Sequence, residues 1–106
     1  MKRKELSSIE REALLMALLS QLLREEISSG QVLRQLRRDV LGMSQTQYAE
    51  LVGISRRSLS DLEADKASPT LSLFNQVFRP LGLQTALVPR NRGLRERLLS
   101  VDKANI

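Results

Sequence analysis

The tract from Met43 to Leu62 constrains this chain more than any other part of it. Ser44-Gln45-Thr46-Gln47 is a capping box: a serine hydroxyl accepts a backbone N–H while the glutamine three residues on reaches back. Met43, just before the cap, can staple against Tyr48 just after it. A short helix over Gln45–Val52 would end at Gly53, and Ser55 is a fresh N-cap, with Ile54 placed to staple against Leu59. Two short helices joined by so tight a turn must bring apolar, closely fitting faces together. The spacing meets that demand. Tyr48, Ala49 and Val52 face inward from the first helix, Ile54 fills the turn, and Leu59 and Leu62 face inward from the second. Ala49 is small, as needed where helices cross closely.

The outward face of the second helix follows from a rotation of roughly 100° per residue. With Arg56 as origin, Ser60 falls at about 40°, Ala64 at about 80°, Arg57 at about 100° and Asp61 at about 140°. Leu62 and Leu59 lie at about 240° and 300°, on the opposite side. The exposed arc is therefore short side chains flanked by two guanidinium groups. Short side chains let a helix backbone approach a groove, and an arginine fork matches the O6 and N7 acceptors of guanine. The plain alternative is an ordinary solvated face, on which two arginines are unremarkable.

Composition removes other chemistries. With no Cys and no His, the chain has no disulfide, no thiol nucleophile, no zinc site of the usual ligands and no Ser-His-Asp triad. Asp61 and Glu63 are isolated carboxylates with no evident catalytic partner, so an enzyme is disfavoured and no cofactor is called for. The formal charge of +5 favours a polyanionic partner, but its placement matters more than its sum. Residues 1–30 carry five basic and five acidic groups, residues 31–64 five and four, and residues 65–106 seven and three. The excess lies in the tail around Arg90, Arg92, Arg95 and Arg97, where it would add unspecific attraction to a phosphate backbone.

Elsewhere the periodicity predicts helices. Ser7 and Glu10 form a capping box for one running over residues 9–27, broken at Ser28-Ser29-Gly30. Its apolar stripe is wider than one buried face requires, so it packs on its own domain or serves as a dimer or partner interface. A second helix over residues 31–40 turns Val32, Leu33, Leu36 and Val40 inward and Arg34, Arg37 and Arg38 outward, and Gly42 closes it in the left-handed conformation. Residues 65–68 form a loop, and Ser68-Pro69 starts a further helix with Leu71, Phe74, Val77, Phe78 and Leu81 along one stripe. Pro80 ends that helix near Phe78. Residues 83–88 look like a short strand stopped by Pro89, and because a lone strand leaves its backbone groups unsatisfied, the same strand of a second copy is the economical partner. A frayed helix is expected over residues 94–101. The basic start, Met1-Lys2-Arg3-Lys4, is not followed by a secretory signal, since Glu10, Arg11 and Glu12 interrupt the approach to an apolar run of seven residues. That run is far short of the ~20 residues needed to span a bilayer, so a soluble cytoplasmic protein without a membrane partner is expected.

Residues 31–88 resemble the Xre (Cro/cI-type) helix-turn-helix DNA-binding domains. The resemblance is carried by the unbroken tract from Met43 through Ser55, by Leu59 and Leu62-Glu63, and by Ser68-Pro69-Thr70-Leu71. The trailing Leu81-Gly82-Leu83-Gln84-Thr85-Ala86-Leu87-Val88 is similar to the C-terminal strand by which HipB-type antitoxins pair in their dimers. The resemblance implies an all-α, lambda-repressor-like bundle over residues 29–82. To it are added an N-terminal helical extension (1–28), a short β-strand pairing across a dimer (83–89) and a basic tail (90–106).

It also implies roles by position. Gln45 and Thr46 would contact phosphates, with Gln45 steadying the reading residues, and Arg37 would touch the DNA backbone from the leading helix. Ser55, Arg56, Arg57 and Ser60 would meet base edges and adjacent backbone. Glu63 would pair with an arginine of the leading helix, for which Arg34 is the candidate. The implied function is a homodimeric repressor of double-stranded operator DNA, as the autoregulatory antitoxin of a HipBA-type operon with a HipA-like kinase toxin as partner. The alternatives are a phage-type or stand-alone repressor without a toxin, and a protein–protein interaction module that uses the N-terminal helix. The N-terminal helix and Pro80 depart from the minimal family domain.

Overall fold

Short hydroxyl side chains open most of the helices. The computed structural model describes residues 6–104, with side chains as far as residue 100. Ser7, Ser28 and Ser44 each form a complete capping box, with Glu10, Gln31 and Gln47 as the reciprocal residues. Ser55 accepts from the Ser58 N–H, and Thr70 accepts from the Leu73 N–H. The helices that follow are α1 (Ser8–Leu23), α2 (Ser29–Gln35), α3 (Gln45–Val52), α4 (Arg56–Glu63), α5 (Leu71–Phe78) and α6 (Arg92–Ala104). A π turn, Leu36–Val40, prolongs α2, and a 3-10 turn, Arg79–Leu81, prolongs α5. No helix among the described residues is long and apolar enough to cross a membrane.

The expected turns form. Gly42, Gly53 and Gly82 all take positive φ, and α5 ends at Phe78, where Pro80 requires it. The core is one apolar cluster in which Leu18 of α1 meets Val32, Leu33 and Leu36, then Tyr48, Ala49 and Val52, then Leu59, Leu62, Val77 and Phe78. Every inward position read from the helix-turn-helix tract is part of that cluster or packed against it.

Four boundaries differ from expectation. The first helix stops at Leu23, four residues early, because Glu25 turns left-handed (φ 60°) and the Glu25 and Glu26 N–H groups fold back onto Leu22 and Gln21. The second helix starts earlier, since Ser28 is a cap and Gly30 lies inside α2 and does not break it. A Cβ on Gly30 would stand 2.6 Å from the Leu62 carbonyl oxygen and 2.7 Å from that of Glu63, so the lack of a side chain lets α2 start against the end of α4. The cap of α5 is Thr70, two residues after the expected Ser68. The last helix is longer than residues 94–101, with the Asn91 Oδ1 accepting from the Leu94 N–H at 2.7 Å.

The expected strand is absent among the described residues. Residues 83–88 run without regular structure, tied to α5 where the Thr85 N–H and hydroxyl both donate to Asn75 Oδ1, at 2.8 and 3.0 Å. One chain offers this segment no second strand, and a ladder needs two. Leu87 lies wholly exposed within it, at 102 % of its reference area.

Candidate nucleic-acid interface

The face of α4 is set from behind by a buried ion pair. Arg37, in the π turn, places Nε 2.5 Å from Glu63 Oε2 and Nη2 2.9 Å from Glu63 Oε1. Its Nη1 donates to the Met43 carbonyl oxygen at 2.8 Å. The Gln45 side-chain amide donates to the same Glu63 Oε1 at 3.0 Å. One fork thus locks the leading helix to the loop before α3, to the first turn of α3 and to the last turn of α4. At this depth a charged pair is tolerable because every strong donor finds an acceptor.

This corrects two expectations. Arg37 does not face outward; it is 6 % exposed, and its guanidinium is occupied inside the fold. The partner of Glu63 is therefore Arg37, while Arg34 stays exposed. The signal was in the spacing. Arg37 follows Leu33 by four residues and Leu36 by one, which is the inner stripe of a helix. Charge argued for the surface, and a carboxylate across the core overruled it.

Tyr48 lies in the same interior. It is fully buried and donates its hydroxyl to the Val77 carbonyl oxygen at 2.6 Å, joining α3 to α5. Burial, with the Glu63 carboxylate as a second cause, pushes its pKa up to about 12. Gln76 closes the other end of α3 by donating to the Val52 carbonyl oxygen at 2.5 Å.

Asp65 adds a brace that sequence reasoning missed. Its backbone is left-handed (φ 58°) where α4 ends, and its carboxylate accepts from the Ser28 hydroxyl at 2.6 Å and from the Gly30 N–H at 3.0 Å. One residue therefore ends α4 and caps α2, where the helix dipole favours a negative charge. The signal in the sequence was an aspartate just past the end of α4, a residue type that tolerates the left-handed conformation.

What the bracing presents is an exposed row. Arg56, Arg57 and Ser60 on α4 and its cap Ser55 are all exposed, and Thr46 is exposed on the first turn of α3. Gln45 is half-buried by its bond to Glu63. Among the described residues neither Arg56 nor Arg57 makes an ion pair. Beside this row Arg34, Arg38, Gln45, Ser60 and Ala64 rim a shallow polar groove of about 420 Å³ with the Arg37–Glu63 pair at its floor. Of the seven expected site residues, five are exposed and Gln45 half-buried, Gln45 and Ser60 line one groove together, and Arg37 is withdrawn to its floor. Arg34 and Arg38 are cations on that rim that the sequence reading had not placed there.

The tail arginines are not equivalent either. Arg95, counted with the unspecific basic surplus, is buried. Its Nη1 donates to the Leu23 carbonyl oxygen at 3.0 Å, and its Nε and Nη2 donate to the Pro89 carbonyl oxygen at 3.2 and 2.9 Å. It closes the C-terminus of α1, whose last turn holds no basic residue of its own.

Comparison with known proteins agrees with this geometry. The model of the helix-turn-helix family matches residues 33–88, from the middle of α2 to beyond the turn after α5. No curated protein and no solved structure matches the chain. A match over half of the chain, centred on two capped helices that are locked from behind and bare in front, makes this chain a member of the Cro/cI-type helix-turn-helix family of DNA-binding regulators.

Proposed function

We propose that the protein is a homodimeric transcriptional repressor that lays α4 into the major groove of a palindromic operator. The observation that carries this reading is the pair of uncompensated arginines, Arg56 and Arg57, flanking Ser60 on a helix that the Arg37–Glu63 lock holds in place. Their side chains are assigned to base edges, with Ser55 on the adjacent backbone. Thr46, the free side of Gln45, and Arg34 on the groove rim are assigned to phosphates, which position the protein without specifying sequence. A two-fold dimer places its recognition helices about one helical turn apart on the DNA.

Selecting bound sequences from a random pool of duplex DNA tests this. The expected result is a short two-fold-symmetric motif whose affinity falls steeply with salt. A pool that fails to enrich, or a symmetric motif bound with no salt response, rejects it. The narrower setting, an antitoxin repressing its own operon, rests on the likeness of residues 81–88 to HipB-type chains. In that setting a kinase-like toxin encoded beside the gene copurifies with the protein and tightens or loosens operator binding. A stand-alone repressor has no such neighbour.

A further inference from the structure

Two carboxylates hold the C-terminal end of α4, and they hold it to opposite ends of α2 and its π turn. Glu63 takes the Arg37 guanidinium at the far end. Asp65 takes the Ser28 hydroxyl at 2.6 Å and the Gly30 N–H at 3.0 Å at the near end. Ser28 and Arg37 stand nine positions apart, about 13 Å along a helix. The fit at the near end is close: a Cβ on Gly30 would stand 2.5 Å from Asp65 Oδ1, besides its clash with the Leu62 and Glu63 carbonyl oxygens. Elsewhere α4 rests on Leu59 and Leu62, both buried. Apolar contacts are non-directional, so they fix how deep the helix lies and not its angle. A single polar attachment leaves a helix free to swing about it. A second, well removed along α2, stops the swing.

We propose that Asp65 is a positioning residue that sets the angle at which α4 meets DNA. Arg56 lies nine positions from Asp65, about 13 Å along the helix, so a tilt of about 5° at the brace carries it roughly 1 Å. A hydrogen bond to a base edge holds over a window of only about 0.5 Å in length. Attraction to the phosphate backbone acts over a Debye length of about 10 Å and is indifferent to such a shift. Asp65 therefore acts on base reading and hardly on unspecific affinity. Its left-handed backbone (φ 58°) turns the chain at the end of α4, and its carboxylate accepts from two donors at the start of α2 at once. The inference rests on the reading role proposed above for Arg56 and Arg57. It adds a residue that acts through the helix rather than through a contact of its own with DNA.

The test compares the selected operator with random duplex DNA, using the full chain. Asp65→Gly removes the carboxylate, and glycine takes a positive φ without strain, so the turn is kept. The variant is expected to keep its helical circular dichroism at the assay temperature. Its affinity for the operator should fall about tenfold or more, the discrimination of one base contact, while its affinity for random duplex stays within about twofold. Selection repeated with the variant should return a broader motif. Asp65→Asn tolerates the left-handed backbone, accepts from the Gly30 N–H and can donate to Ser28 Oγ, so it should restore most of the ratio. An unchanged operator-to-random ratio in folded Asp65→Gly, even with a lower melting temperature, makes the brace a matter of stability alone and overturns the inference. An equal loss on both DNAs overturns it too. If Asp65→Gly does not fold, Ser28→Ala, which spares the Gly30 bond, carries the test. Its ratio should fall about threefold, and an unchanged ratio again overturns the inference. If the wild-type chain itself selects no motif, the DNA-reading role falls and this inference with it, an outcome separate from any change in ratio.

Discussion

Between residues 29 and 78 charge is sorted by depth: Arg37 and Glu63 neutralise each other inside, and Arg56 and Arg57 stand outside with no ion-pair partner among the described residues. In the flanking layer of α1 and α6 the order is reversed. Arg95 is buried there, while Ile9, Met16, Leu23, Leu98 and Leu99 face solvent. The difference lies in what each region is complete without. The inner bundle satisfies its polar groups internally and offers water, or a polyanion, a charged face. The outer layer leaves large apolar side chains uncovered, as interaction surfaces do.

The largest effect expected from this contrast belongs to the buried pair. Glu63→Ala leaves Arg37 charged and unpaired in the interior, and urea unfolding should show a loss of about 3–5 kcal/mol. Arg37→Ala should cost a similar amount, and Arg37→Met combined with Glu63→Leu should recover most of it. If Arg37→Ala instead kept full stability and lost only DNA affinity, the depth sorting would be wrong and the arginine would belong to the interface.

Tyr48 sharpens the same point through pH. Its folded-state pKa of about 12 lies above the ordinary value of 10.0, so the stability it contributes is complete below pH 10.0 and is lost as pH rises toward about 12. Two units correspond to about 2–3 kcal/mol. Tyr48→Phe should be weaker near neutrality by about 1 kcal/mol for the lost bond to Val77, yet flatter across the alkaline limb. Denaturant midpoints of the two proteins on either side of pH 10.0 measure it. Parallel alkaline limbs would mean that the phenol is reached by solvent in the native state.

Arg57→Ala comes next and moves in the opposite sense. On the selected operator it should cost about 1–3 kcal/mol of binding and blunt the preference at one base pair. Its unfolding free energy should stay within about 0.5 kcal/mol of wild type, because the side chain is exposed and supports nothing. Unchanged selectivity would remove Arg57 from the reading surface while leaving the fold assignment intact.

Much of the inner bundle was legible because its information is local. Caps at Ser44 and Ser55, a turn at Gly53 and the spacing of Tyr48, Ala49, Leu59 and Leu62 act within a few residues of one another, and each appears as expected. Pairings across the fold were not legible in that way. Arg37 with Glu63 spans 26 positions, Asp65 with Ser28 spans 37, and Arg95 with Leu23 spans 72. Nothing near any of these residues announces its partner. The strand over residues 83–88 failed for the complementary reason: its composition suits a ladder, but a ladder is a property of two segments and one chain supplies a single segment. The exposed row on α4 was readable because helical geometry alone fixes which residues share a face.

The smallest effect tests the outer layer. Ile9→Ser removes a side chain that is 82 % exposed and therefore contributes little to the isolated chain. At high dilution its melting temperature should match wild type, within the ±0.5 kcal/mol usual for surface changes. Concentration is the second variable. Anything that binds only the folded state raises stability by mass action, so a self-associating chain melts higher as it is concentrated. Where Ile9 is part of the contact, the serine variant gains less, because the apolar area that association buries is reduced. Leu18→Ala is the control from the used face of the same helix. Leu18 is buried in the core, so its truncation should cost about 2–5 kcal/mol at every concentration. Matching concentration dependence for wild type and Ile9→Ser would mean that the outer face of α1 stays wet, and the contrast between the two regions would then describe exposure alone.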